Sequence, residues 1–374
     1  MRKTLLIILF LMSLGLQAQD SIPALEQLSS LERPKKMSWL KRTIRGFSYI
    51  DTNYVEPQHY NWSVMLQATY NYDYYRLSST GDNQQSFFFA PTPTLKAGPY
   101  FGWRWAFLGY TFDLRHVDLS PDTKKIDFSF YSAQIGVDFQ FRQTGNDYKL
   151  RNVKLGNGIN TDALENVPFD GINTSIFGLY VYYIFNHQRF SYPAAFNQST
   201  CQKISCGTWM VGLGYTRNSI SFDYEKLQQL IDEKLPGQNV KLDDALILNN
   251  VKYYDTSISL GYAYNWVFAK NFLFCASLSA ALAYKKTKSE SSDDAKPWKF
   301  SNFSFSNFNL DGIGRFGLVY NDTRWYAGAS AIIRAYTYRK AQFAANNVFG
   351  SLNFYMGYNF GARGPYKKNK KVNK

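Results

Sequence analysis

The sequence predicts an all-β protein: a transmembrane antiparallel β-barrel of the outer-membrane type, with about 12 strands and 10 to 14 as the range. Three observations predict it: a two-residue hydrophobic period, an aromatic content of 18%, and an export signal at the N-terminus. From Ile258 to Phe268 the even positions are large and apolar or aromatic, while the odd positions stay mostly small or polar. Successive side chains of a strand point to opposite faces, so this segment has one face for lipid and one for polar company. The same period returns in Trp62–Tyr74, Phe272–Tyr284, Leu310–Tyr320 and Val348–Phe360. Mean hydropathy is only −0.34, because lipid-facing and lumen-facing residues cancel within any window. The aromatic excess, 29 Tyr, 30 Phe and 8 Trp, matches the girdles that barrels place at the two membrane interfaces.

The N-terminus supplies the address. Arg2 and Lys3 precede an apolar run from Leu5 to Leu16, and Leu16-Gln17-Ala18 leads into polar Gln19-Asp20, the pattern of a cleaved signal peptide over residues 1–18. A run of about 12 apolar residues falls short of the roughly 20 that a helix needs to cross a bilayer. Residues 19–58 are then a periplasmic N-terminal segment, 59–361 the barrel and 362–374 a basic C-terminal tail. The expected location is the outer membrane of a Gram-negative bacterium.

Eleven strand candidates follow from the period: 60–77, 85–101, 104–118, 125–142, 172–187, 207–223, 251–268, 271–286, 306–321, 323–339 and 347–360. Single-chain barrels have an even number of strands, short periplasmic turns and longer outer loops. The tight connections at Ala269-Lys270 and Asn321-Asp322 follow the seventh and ninth candidates and so have the wrong parity. One further strand between about 104 and 250 corrects both and gives twelve. Tyr148–Leu155, after the turn signal Thr144-Gly145-Asn146-Asp147, is the candidate for it. Parity then puts 78–84, 119–124, 156–170, 224–250, 287–305 and 340–346 outside the cell and 188–206 in the periplasm. Tyr224–Leu235 carries Leu227, Leu230, Ile231 and Leu235 at helical spacing before Pro236-Gly237. That helix either packs on its own barrel or serves as a lid or partner-binding helix.

Alternation turns Asp73, Lys96, Asp113, Arg115, Asp138, Arg142, Asp311, Arg315 and Arg334 toward the lumen. The signs nearly balance, which suits a structural network of paired charges in a narrow lumen, whereas an anion-selective pore needs an excess of Arg and Lys. Cys201 and Cys206 are spaced for a local disulfide in an oxidising periplasm, with two free thiols as the alternative. Two thiols without His or acidic neighbours do not make a zinc site, and no metal or cofactor is expected. His59, His116 and His187 are the only imidazoles. His116, with Asp118 near it and Asp113 in the lumen, is the least implausible catalytic group, but none of the three stands in a serine-hydrolase setting, so no catalytic residue is assigned.

Loss of Arg2 and Lys3 with the signal lowers the net charge from +14 to +12. Much of the excess is terminal, at Arg33, Lys35, Lys36, Lys41, Arg42 and Arg45 and at Lys367, Lys368, Lys370, Lys371 and Lys374. The basic tail is either solvated or faces cell-wall carboxylates or anionic lipid; an exported barrel meets no cytoplasmic nucleic acid. The expected partner is outer-membrane lipid, with no protein partner assigned.

Five strings occur in order: Y-I-D-T-N-Y-V-E-P-Q-H-Y (Tyr49–Tyr60), G-P-Y-F-G-W-R-W-A-F-L-G-Y-T (Gly98–Thr111), Y-S-A-Q-I-G-V-D (Tyr131–Asp138), F-R-Q-T-G-N-D-Y (Phe141–Tyr148) and F-S-Y-P-A-A-F-N-Q-S (Phe190–Ser199). Together they resemble an uncharacterised family of exported Gram-negative proteins, domain-of-unknown-function family 4421, from about residue 45 onward. The resemblance implies an outer-membrane barrel without an assigned activity and carries over no site residues. A distinctive string in a connection is less easily explained by packing than one in a core, and 188–206 is accordingly a candidate plug. The functional readings are therefore a structural or binding barrel, a narrow transport channel for small solutes, and a lipid-modifying enzyme.

Overall fold

Alternating segments become long antiparallel strands because each can bury one face only by curling around a shared interior. A computed structural model describes residues 49–79, 85–103, 106–109, 112–114, 124–144, 148–156, 158–246, 250–288, 307–340 and 343–367. The signal peptide, most of the N-terminal segment, the end of the basic tail, Arg115, His116 and Asp118 lie outside these residues. In chain order the strands are β1 (Val55–Pro57), β2 (Tyr60–Ser79), β3 (Ser86–Pro91), β4 (Thr94–Trp103), β5 (Ala106–Gly109), β6 (Phe112–Asp113), β7 (Lys124–Tyr131), β8 (Ile135–Thr144), β9 (Tyr148–Lys154) and β10 (Ile172–Ile184). They continue with β11 (Thr200–Gln202), β12 (Cys206–Phe222), β13 (Asn250–Ala269), β14 (Phe272–Lys288), β15 (Phe308–Asn321), β16 (Trp325–Lys340) and β17 (Phe343–Ala362). Among the described residues two α-helices, α1 (Tyr192–Phe196) and α2 (Tyr224–Lys234), lie in connections.

The main sheet runs in the order β5-β4-β2-β17-β16-β15-β14-β13-β12-β10-β8-β7, a wall of twelve strands in which β3 and β6 continue the line of their neighbours. Among the described residues the path is not closed between its ends β5 and β7. The wall nevertheless wraps around a lumen, because strands far apart in this order touch through their inner faces. Thr174 of β10 donates a 2.8 Å hydrogen bond to Tyr75 of β2. Tyr180 of β10 donates to Tyr336 of β16 at 2.9 Å, and the rings of Tyr253 and Tyr338 stack at 4.7 Å. The outer face carries Leu213, Ile258 and Leu310, each 63 to 66% exposed, the lipid-facing counterpart of those contacts.

Twelve wall strands agree with the turn-parity argument, but the twelfth lies elsewhere than expected. Tyr148–Leu155 gives β9, which pairs only with β3 beside the wall. The extra strand arises inside 125–142, where the chain reverses at Ser132–Gln134 between β7 and β8. Ser132 Oγ accepts from the backbone N–H of Ile135 at 2.9 Å and donates to its carbonyl at 2.8 Å. A side-chain turn of this kind does without Gly, Pro or Asn.

The tight turns after β7, β13 and β15 fall at one end of the barrel. Left-handed backbone at Asn271 (φ 67°) and Thr323 (φ 77°) closes two of them, and Asp322 Oδ1 accepts from the N–H groups of Arg324 and Trp325 at 2.9 and 2.6 Å. Outward aromatics stand at both ends, with Tyr74 against Phe88 and Tyr284 against Phe308 at the far end and the tryptophans at this turn end. Trp62 contacts Phe101 (5.4 Å between ring centroids) and Trp103 (6.4 Å), and Trp325 contacts Tyr358 (4.6 Å). At the opposite, loop end, α2 packs on its own barrel. Asp223 caps it by accepting from Lys226 N at 3.0 Å, and Leu227 and Ile231 are buried.

Candidate functional site

The lumen is occupied at three levels. At the turn end, the connection from β10 to β12 folds inward rather than hanging below the wall. Ser191 caps α1 by accepting from Ala194 N at 3.3 Å, with Pro193 in the first turn. Tyr192, Pro193, Ala194 and Ala195 are all buried. The Tyr192 hydroxyl meets Ser277 on β14, and its ring stacks on Tyr131 of β7 and meets Tyr182 of β10 edge-on. Gln198 donates to Tyr355 of β17 at 2.7 Å, and Asn265 of β13 donates to Ser191 O at 3.0 Å. Gly317 on β15 leaves room for this segment, since a Cβ there would stand 3.1 Å from Ala195 O. Strand β11 leaves the plug and pairs with β1, so the segment preceding the barrel is tied to it.

Charges fill the middle. Arg142 pairs with Asp73, and Arg315 with Asp138, across the lumen; Arg334 reaches the same Asp138 at 3.6 Å. Lys285 pairs with Asp311 at 3.0 Å and donates to Thr337 O at 2.5 Å. Thr216 donates to Asp255. Four carboxylates and four cations are thus buried together, which is how such groups are held at low cost to the fold. Of the nine charges read from the sequence, Asp73, Asp138, Arg142, Asp311, Arg315 and Arg334 join this layer. Lys96 is half-buried, with Asp113 opposite it in the register. The layer also contains Lys285 and Asp255, which were not among those nine. Lys285 shares the odd-numbered inner phase of Cys275 and Ser277, a signal obscured by its neighbour Lys286.

The loop end closes with apolar side chains. Tyr75, Phe87, Phe89, Tyr148, Leu164 and Phe349 form one buried cluster with residues of α2.

Cys201 and Cys206 stand as free thiols in the structure. Their sulfurs diverge: Cys201 Sγ donates to Asn321 O at 3.8 Å, and Cys206 Sγ to Arg189 O at 3.1 Å. Burial, with Glu56 nearby, pushes the Cys201 thiol up to about 12, so it is a protonated, unreactive group at neutral pH. Outside the plug, a cleft of about 540 Å³ opens between β11 and the turns, lined by Glu56, His59, Cys201, Lys203, Lys270 and Asp322 among others. His59 is committed there: Nε2 meets Glu56 at 2.9 Å, Nδ1 faces Thr323 Oγ1 at 3.5 Å, and the ring stacks on Tyr366. His187 is buried in the turn after β10 against Tyr183. Among the described residues no group of three or more His, Cys, Asp or Glu is arranged to hold a metal ion.

Among solved structures, the chain is similar to the outer membrane protease OmpT of Escherichia coli: 9% identity, TM-score 0.33, over 80% of this chain and 97% of that one. It is similar to the outer membrane protein OprG of Pseudomonas aeruginosa at 9% identity and TM-score 0.23 (82% and 99% covered). The toluene transporter TodX of P. putida matches at 7% and 0.21 (81% and 91% covered). No curated protein matches the chain. The model of a family described as a domain of unknown function, DUF4421, matches residues 49–360, and the chain belongs to that family.

Proposed function

We propose that the protein is an exported barrel of the Gram-negative outer membrane that acts as a structural or binding element at the cell surface, with its turn end in the periplasm and its loop end outside. The filled lumen carries this reading. The plug, the balanced ion-pair layer and the apolar cluster lie in series, so a solute entering from either end meets packed side chains. Channels that select ions line an open bore with charges of one sign or with carbonyls, and here each buried cation of the layer faces a carboxylate or a carbonyl oxygen. The alternative of a lipid-modifying enzyme turns on His116, which lies outside the described residues.

Liposome swelling in an arabinose gradient tests the reading against the transport alternative. Proteoliposomes of folded protein are expected to swell no faster than empty vesicles; a swelling rate rising with protein content would overturn it.

A further inference from the structure

The two ends of the lipid-facing wall differ in chemistry. At the turn end it presents Trp62, Trp103, Trp209, Trp266 and Trp325, all exposed. Near the loop end of their strands the outward positions carry cations among the aromatics: Arg76 on β2, Arg217 on β12, Lys252 on β13, Lys286 on β14 and Arg339 on β16. Arg76, Arg217, Lys286 and Arg339 are exposed and Lys252 is half-buried. Among the described residues none of the five makes an ion pair, and Asp73 on β2 and Asp255 on β13 are buried on the opposite, lumen face.

The register gathers three of these cations. Arg217 stands opposite Tyr254, and Tyr254 opposite Lys286; Lys252 precedes Tyr254 by two residues on the same face. The Arg217 guanidinium lies 5.6 Å from the Tyr254 ring centroid, which directs it along the wall. Arg217 and Lys286 thus flank β13 from the two neighbouring strands, with Lys252 diagonal to both at about 7 to 8 Å, and their long side chains can converge over β13 on one phosphate. Such a cluster, set just beyond an apolar belt, meets a ligand whose acyl chains lie on the belt and whose phosphate lies at its edge.

We propose that Arg217, Lys252 and Lys286 form a binding site for the phosphate of the outer-leaflet glycolipid, with Arg76 and Arg339 continuing the band around the wall. The site does not depend on a closed lumen. It rests on the loop end facing outward, which maleimide labelling of a Gln238→Cys variant on intact cells checks separately; absence of labelling there would remove the site from the outer leaflet and overturn the proposal.

The direct test is native mass spectrometry of detergent-purified barrel mixed with phosphorylated lipid A. Wild type is expected to retain it, and R217Q/K252Q/K286Q to lose affinity on the order of a hundredfold. The turn-end control K203Q/K270Q should bind like wild type. Equal retention by the triple variant, of dephosphorylated lipid A, or of phosphatidylglycerol would overturn the proposal. If the triple variant fails the heat-modifiability assay for folding, Lys286→Gln alone, a change at an exposed position, carries the test: a severalfold loss supports the site and no loss overturns it.

Discussion

The lumen is stopped at both ends, but by elements of different kinds. At the loop end the stopper is an apolar cluster built from the wall, β9, α2 and the loops between them, so it belongs to the folding core. At the turn end it is one short insert, held by a second apolar cluster in which Phe190, Tyr192 and Ala195 meet Tyr131, Tyr182 and Val319, and by hydrogen bonds of Ser191, Gln198, Gln202 and Asn265. The loop-end stopper is removed only by unfolding the wall elements that build it, whereas the insert can open as a single local unit. The contrast makes the turn end the adaptable side of the molecule and the loop end its rigid side.

The ion-pair layer between the two stoppers gives the largest expected effect. Asp138→Ala removes the carboxylate shared by Arg315 and Arg334 and should destabilise the barrel by about 3 to 5 kcal/mol, read from urea titrations in detergent micelles; a loss under about 1 kcal/mol would show that water already screens the layer. Next come the stoppers themselves. Leu227→Ala at the loop end should cost global stability, about 2 to 3 kcal/mol. Tyr192→Ala at the turn end should leave the urea midpoint nearly fixed while cleavage within 188–206 by added protease rises on the order of a hundredfold, as a local loss of about 3 kcal/mol requires. Equal global costs for the two would erase the contrast.

The smallest effect concerns Cys201. Because its folded thiol titrates near 12, above the unfolded value of about 8.5, ionisation opposes folding only as pH rises above about 8.5. At pH 8 its alkylation in the folded state should be slower than in urea by about three orders of magnitude. Comparable rates would mean that the plug exposes it.

The architecture was legible because alternation is a direct consequence of strand geometry, and the parity of short turns pointed to twelve strands, the number on the continuous path of a described sheet of fifteen. The missing strand was misplaced because the turn at Ser132-Ala133-Gln134 rests on one serine hydroxyl, without Gly, Pro, Asn or Asp to mark it. The signal was present as a phase slip: Phe130 and Val137 face each other across β7 and β8, so the outward positions change from even to odd between them. Six of the nine lumen charges were found because strand phase alone decides which side a residue faces. Which cation meets which carboxylate was not legible, since Asp138 and Arg315 are 177 positions apart and meet only when the wall curls. The plug was legible only as a distinctive connection, because its burial depends on lumen residues such as Gly317 and Ser277 from other strands.

Single-molecule current across planar bilayers tests the closed lumen most directly. Folded wild-type barrel, verified by heat modifiability, is expected to insert without steady conductance steps at either polarity. Reproducible ohmic steps from that protein would contradict the account.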